Sequence, residues 1–292
     1  MPTPAPIAAP VMVQVENLWA ARPQSGLTQA EVLYEYQTEG GISRFTALYF
    51  RMPAGLQVGP IRSARLVTIK LLRVWGGTLL YSGATVYVST LLGNSGLRQY
   101  DESRAAGALF RIGARAAPHN LYTDGGHMAA FQQRIGAPVV GYQLWARTAP
   151  PNLPPGGTTV GRFSVPLSQY EQPIFTYNAA SGRYVRTEPD TGLLTDANSG
   201  AAFRPASIAV LQMAVTVGPE VEDDSGAHGL DFALVGSGSG QLAVGGVLYP
   251  ITWTQHASGP PQLTLASGQP APIAPGQVLF ELVPPGQALQ PR

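Results

Sequence analysis

Ala149-Pro-Pro-Asn-Leu-Pro-Pro-Gly-Gly157 divides the sequence. Four prolines and two glycines in nine residues lack the donors for a ladder and the backbone restraint for a helix, so the segment reads as a linker between residues 1–148 and 158–292. Upstream, Val11 to Val15 reads as a strand, Ile42 to Phe50 as a buried strand and Val139 to Leu144 as a further strand. Thr28 with Glu31 carries a capping-box signature for a short helix reaching Tyr36, and Ile61 to Trp75, closed by Gly76-Gly77, has apolar spacing nearer helical than strand. Val86 to Leu92 is left open between helix and strand. This alternation predicts an α/β sandwich-like N-terminal domain. Downstream, Phe175 to Tyr177, Ile208 to Val217, Leu248 to Thr254 and Val278 to Val283 are separated by turn pairs such as Ser181-Gly182 and Gly245-Gly246, predicting a β-rich domain. Val235-Gly-Ser-Gly-Ser-Gly240 reads as a hairpin tip. The fold class expected for the whole chain is α+β.

The 292 residues contain 34 glycines, 27 prolines and no cysteine, which excludes disulfides, thiolate metal sites and a lipidated cysteine in this sequence. Charged residues are only 12% against 45% apolar, so a packed globule is expected rather than a solvated coil. The opening MPTPAPIAAPVMV has neither a basic start nor a long apolar core, and no membrane helix or signal segment is expected. The formal charge of +1 conceals opposed halves: 13 Lys and Arg against 7 Asp and Glu in residues 1–150, 5 against 10 in the remainder. Lys70 is the only lysine. Without a lysine-rich face or an RNA-binding signature, nucleic acid is not an expected partner.

The arginines therefore carry the functional case. Gly59-Pro-Ile-Arg-Ser-Ala-Arg65 places Arg62, Ser63 and Arg65 at an expected helix start, where backbone N–H groups attract anions. Two like charges there need a counter-charge, supplied either by a bound anion or by internal carboxylates such as Glu35 or Glu39. Glu39-Gly-Gly-Ile-Ser-Arg44 puts Arg44 at the mouth of a buried strand, where it needs a partner. The polar loop Ala21-Arg-Pro-Gln-Ser-Gly26 adds Arg22 with Asn17 nearby, in a place where either a ligand contact or an ordinary connector fits. His119 and Asn120 lie downstream of Arg111 and Arg115, His119 being a possible base, phosphate contact or structural hydrogen-bonding group. His119 and His127 match no zinc spacing, and His228 and His256 fall in the other half, so no metal site is expected. Walker, Rossmann, nucleophile-elbow and His-Glu-x-x-His signatures are missing, and no cofactor is expected.

These motifs also carry a resemblance. Val15-Glu-Asn17, Ala21 to Leu27, Ala30 with Tyr34-Glu35, Glu39 to Arg44, Gly59 to Arg65 and Pro118-His-Asn-Leu-Tyr-Thr123 resemble the YerB-like lipoprotein family of bacteria, a family of unknown function. So do Tyr177 with Gly182-Arg-Tyr184, Leu230-Asp-Phe232 with Gly236-Ser-Gly238, Ile251-Thr-Trp253 and Pro275-Gly-Gln277. The resemblance implies an extracytoplasmic protein of the cell envelope, often lipid-anchored, with an α/β N-terminal and a β-rich C-terminal domain. Two departures stand out: the cysteine and leader are missing, so contact with a membrane would need an anchor outside this sequence, and Tyr81-Ser-Gly-Ala84 replaces a histidine-bearing, glycine-rich stretch. A fainter similarity of layout, a buried strand followed by arginines, is to phosphotransferases that attach glycopolymers to the bacterial wall.

The expected function is binding of an anionic, phosphate- or carboxylate-bearing ligand such as a cell-wall fragment. The expected ligand residues are Arg44, Arg62, Arg65, His119, Asn120, Glu39, Arg22, Asn17 and Ser63. Catalysis is left open, with the balance against it. One alternative is a phosphotransferase acting on a lipid-linked pyrophosphate, with Glu35 or Glu39 as its acid. The other is a structural or interaction module in which the arginines pair internally.

Overall fold

In the computed structural model, which describes residues 6–52, 55–148 and 152–292, strands from both halves of the sequence form one sheet. Its order runs Thr158–Thr159, Val247–Gln255, Gly236–Val244, Ser207–Gln212, Val278–Val283, Val32–Gln37, Ser43–Tyr49, Val11–Glu16, Thr78–Leu80 and Gln99–Tyr100, with Gln262–Leu265 added beside Val247–Gln255. The halves meet where Val278–Val283 runs parallel to Val32–Gln37, with Phe280 opposite Tyr34 and Glu281 opposite Glu35.

Alternation along the central strands sends side chains to two apolar layers. Met12, Val32, Tyr34, Tyr36, Val278 and Phe280 face a layer covered by helices α1 (Leu66–Trp75) and α2 (Val86–Gly93). Val11, Val13, Leu33, Phe45 and Leu279 face the other, covered by α3 (Gly125–Ile135) and a five-stranded antiparallel sheet over 162–193 that takes in Gln290–Pro291. Both faces being covered explains why these strands read as continuous apolar runs. No helix among the described residues is long and apolar enough to cross a membrane.

The chain is mostly β, with three α-helices among the described residues, rather than the α+β arrangement with an α/β sandwich that the sequence suggests. Three local differences account for much of this. Residues 32–37 form a strand, not the end of a capped helix, because Tyr34 and Tyr36 pack into one layer and Leu33 into the other; the Thr28 hydroxyl donates to Asp196 at 2.9 Å. Helix α1 begins at Leu66, and Ile61 instead bridges Val15 in extended backbone. Gly236 to Gly240 belong to a nine-residue strand, where a Cβ on Gly238 would lie 2.8 Å from the Trp253 indole nitrogen; glycine lets the ring lie on the backbone. Of the expected linker, Ala149, Pro150 and Pro151 lie outside the described residues, and 152–157 contain neither helix nor strand.

Phe280 is fully buried and stacks on Tyr34 with ring centroids 4.8 Å apart, joining the two halves. Phe280→Ala is expected to cost about 3–5 kcal/mol, read by urea denaturation as one transition that moves intact. Two separated transitions in the parent chain would contradict a shared core.

Candidate functional site

The arginines singled out from the sequence come together, and each arrives with a carboxylate. Arg44 projects from Ser43–Tyr49, Arg65 caps α1, and Arg62 sits in the extended lead-in between them. Glu39, in the turn before the Arg44 strand, accepts from Arg44 at 3.1 Å and from the Arg65 Nε at 2.7 Å, with a second, very short contact to Arg65. Glu222, from the other half of the chain, lies 3.2 Å from Arg65. Arg44 also donates to the Ser63 carbonyl at 2.7 Å. Burial opposes ionisation of Glu39, but Arg44 and Arg65 outweigh it and hold the carboxyl at about 2. Burial, then the neighbouring Arg65 and Arg62, pull Arg44 down to about 10 although Glu39 opposes them.

Arg62 is nearer the surface. It lies 3.1 Å from Glu16, whose second oxygen meets His119 Nδ1 at 2.8 Å. Asn120 turns elsewhere and accepts from Arg111 at 2.6 Å, a guanidinium already paired with Glu102. Of the nine expected ligand residues, Arg44, Arg62, Arg65, Glu39, Ser63 and His119 thus border one charged cluster whose cations face Glu39, Glu222 and Glu16.

Asn17 and Arg22 belong to a second, deeper network. Arg22 donates to Asn17 at 3.2 Å and to Glu171 at 2.8 Å, and pairs with Asp190 at 3.0 Å. Asn17 donates to Glu35 at 2.9 Å and to Ser43 at 2.7 Å. Glu35 binds Arg186 through both oxygens, and Arg186 reaches Glu188 at 2.5 Å and Glu281 at 3.8 Å. Arg186 and Glu35 are wholly buried, with the guanidinium over the Phe45 and Phe175 rings. Burial opposes its charge, but Glu188 and Glu35 hold it protonated. Burial and the facing Glu35 push the Glu281 carboxyl well up despite Arg186. This network joins the halves and leaves no path for a ligand to Arg186.

A different set of arginines faces open space. A cavity of about 590 Å³ is lined by Arg51, Arg147, Arg183 and Arg204, with Glu31 as its only acidic side chain. Glu31 is engaged, accepting from the Phe50 amide at 3.0 Å and from Arg51 at 2.8 Å. Arg147 donates to the Ala274 carbonyl at 3.1 Å. Arg183 and Arg204 have no hydrogen-bond or ion-pair partner among the described residues. Arg183 lies on the backbone of Gly276, where φ is +121° and a Cβ would fall 2.5 Å from a guanidinium nitrogen, so only glycine leaves that arginine its place. Gln277 fixes the opposite half by donating to the Leu27 and Ala30 carbonyls, both at 2.7 Å. Sequence reasoning passed over these arginines because their segments are far apart, although Gly182-Arg-Tyr184, Ala30 and Pro275-Gly-Gln277 are among the residues that carry the family resemblance. No group of three or more His, Asp or Glu residues that could hold a metal ion occurs among the described residues.

Comparison with known proteins gives matches across most of the chain. Residues 3–137 match the N-terminal domain described as "Protein of unknown function (DUF3048)", and residues 163–279 match the C-terminal domain of the same description. A Bacillus subtilis (strain 168) relative named "Putative lipoprotein YerB" is 26% identical over 284 residues, covering 94% of this chain and 81% of its own. The crystal structure of the YerB protein from Bacillus subtilis superimposes with a TM-score of 0.76 at 24% identity, over 95% of this chain and 91% of that one.

The buried acids make stability depend on pH. Burial raises Glu171 from 4.5 to about 7, with Glu35 and Glu188 adding to it against Arg22; burial raises Glu222 likewise to about 7, with Glu39 and Glu220 adding to it against Arg65. Such groups bind their proton more tightly folded than unfolded, so the stability they confer is complete below pH 4.5 and is lost as pH rises to about 7. Glu39 acts oppositely, its contribution being lost as pH falls from 4.5 towards 2. Urea denaturation is expected to show stability declining between pH 4.5 and 7, with Glu171 alone giving a slope of up to about 1.4 kcal/mol per unit that Glu171→Gln removes. A profile that rises through that window contradicts the assignment.

Proposed function

The chain belongs to the YerB-like family of paired N- and C-terminal domains of unknown function, and from that premise we propose that it is an extracytoplasmic bacterial cell-envelope protein that binds an anionic ligand without transforming it. The lipoprotein name of its Bacillus relative supports the location. The observation that carries the binding reading is the cavity in which four guanidinium groups meet one carboxylate. Arginine offers planar pairs of donors that match carboxylate and phosphate oxygens. Two of the four, Arg183 and Arg204, have nothing of the protein's own to neutralise them among the described residues, so an anion entering the cavity displaces water rather than an existing ion pair.

Binding fits better than phosphoryl transfer because the acids available for catalysis are taken. Glu35 is held by Arg186, Asn17 and Ser43, and Glu39 by Arg44 and Arg65. The pairing of Arg44, Arg62 and Arg65 with Glu39, Glu16 and Glu222 gives those residues a structural role: they fasten α1 and its lead-in to the central sheet and to the Val215–Val221 hairpin strand.

Calorimetric titration with inorganic pyrophosphate tests the reading. Saturable, salt-sensitive binding is expected, weakened roughly 10–100-fold by Arg183→Ala combined with Arg204→Ala, in keeping with the loss of charge-assisted hydrogen bonds worth about 1.5–3 kcal/mol. Full affinity in that double variant, with loss on Arg62→Ala instead, would move the seat to the Glu16 face. No saturable binding by the parent chain would end the proposal.

A further inference from the structure

From the chemistry of the cavity wall we infer that the ligand is an acidic glycan: a sugar or short oligosaccharide carrying carboxylate or phosphate groups. This rests on the anion-binding reading above and adds the body to which the charge is attached.

The first argument is what the wall lacks. Apart from the aliphatic stems of its arginines, its apolar surface comes from alanines, a proline and a glycine: Ala30, Ala201, Ala202, Pro275 and Gly276. Among the described residues there is no aromatic ring and no Leu, Ile, Val, Met or Phe in the lining. A lipid tail would find no large apolar surface to bury against. A nucleobase would find no ring to stack on. A neutral sugar would lack the aromatic platforms that usually line small-molecule sites, so charge must supply the affinity.

The second argument is size and the polar groups present. At about 590 Å³ the cavity falls within the range of roughly 300–1,000 Å³ typical of sites for molecules well beyond a single phosphate. The formal excess of three positive charges in its wall suits a ligand with more than one anionic group. Between the arginines stand hydroxyl and amide groups. Gln277 spends its NH2 on two backbone carbonyls, leaving its side-chain oxygen as an acceptor without a partner among the described residues. Ser199 accepts from the Ala201 amide at 3.2 Å and keeps its hydroxyl hydrogen. One acceptor and one donor spaced among guanidinium groups match a molecule that alternates hydroxyls with anionic oxygens.

The third argument is position. The wall draws on Thr28 to Glu31, Arg51 and Arg147 from the first half and on Arg183, Ser199, Ala201, Ala202, Arg204 and Pro275 to Gln277 from the second. Two of these segments are tied together independently of any ligand, Gln277 donating to the Leu27 and Ala30 carbonyls, and Arg183 lies against Gly276 beside them. The site is thus preorganised, which lowers the ordering cost of binding a hydrophilic ligand.

The test compares acidic sugars with anions of matched charge and no sugar, by calorimetry on the full chain. Trigalacturonate is set against tricarballylate for the carboxylate source, and glucose 1-phosphate against inorganic phosphate for the phosphate source; maltotriose and farnesyl pyrophosphate serve as the neutral and lipid probes. At least one acidic sugar is expected to bind ten-fold or more tightly than its matched anion, with no measurable binding of maltotriose. Arg204→Ala, at an exposed position, should weaken that sugar at least ten-fold. Ala201→Gln, also at an exposed position, narrows the cavity without adding a ring or a charge and keeps all four arginines, and should remove the advantage of sugar over matched anion. Acidic sugars no tighter than their matched anions, or farnesyl pyrophosphate tighter than pyrophosphate, would overturn the glycan inference while leaving anion binding standing. Failure of every anion to bind would overturn both.

Discussion

A guanidinium buried where two halves of a chain meet constrains everything around it. Arg186 has no solvent to stabilise its charge, so the penalty of burying it must be met by Glu35 from the first half and by Glu188 from its own, with Glu281 alongside at 3.8 Å. Glu35 and Glu281 can both reach it because their strands lie in parallel register, residue opposite residue. That register also sets Phe280 on Tyr34 and places the two apolar layers on consistent sides of the sheet. Slipping Val32–Gln37 by one residue would turn Glu35 into the opposite layer and leave Arg186 with Glu188 alone.

The same constraint explains the opposed charges of the two halves. Arg22 finds Glu171 and Asp190, Arg65 finds Glu222, and Lys70 finds Asp231 at 2.5 Å, while Arg186 takes Glu35 in the other direction. Basic first half and acidic second half are complementary surfaces of one fold, and the near-zero total charge is the result. Against this background Arg183 and Arg204, on the wall of the arginine cavity, stand out as guanidinium groups without a partner among the described residues. Positive potential gathered in a concave space acts more strongly on an incoming anion than the same charges spread over a surface.

The sequence made some of this legible and hid the rest for definable reasons. Val11 to Val15 and Ile42 to Phe50 declared themselves as strands because both of their faces are buried and every position is apolar or packed. Thr28 to Tyr36 misled because Tyr34 and Tyr36 obey a two-residue period that a Thr-x-x-Glu signature locally masks; the decisive partner, Val278–Val283, lies more than two hundred residues away. Gly59 to Arg65 announced arginines in proximity, and Arg44, Arg62 and Arg65 do cluster. Their counter-charges were hidden by distance along the chain: Glu222 comes from the other half, and Glu16 from a strand whose place between Ser43–Tyr49 and Thr78–Leu80 cannot be read from spacing. The cavity was hidden in the same way, since Arg51, Arg147, Arg183 and Arg204 come from four separate segments and none forms a motif with another.

The arginines conspicuous in the sequence hold the fold together, while Arg183 and Arg204, inconspicuous there, keep guanidinium groups without a partner among the described residues. An NMR titration that follows each arginine Nε–H resonance as pyrophosphate is added addresses this directly. Progressive, saturable shifts are expected at Arg183 and Arg204 with Arg44, Arg65 and Arg186 unmoved. Shifts centred on Arg62 and Arg65, with Arg183 and Arg204 silent, would contradict it.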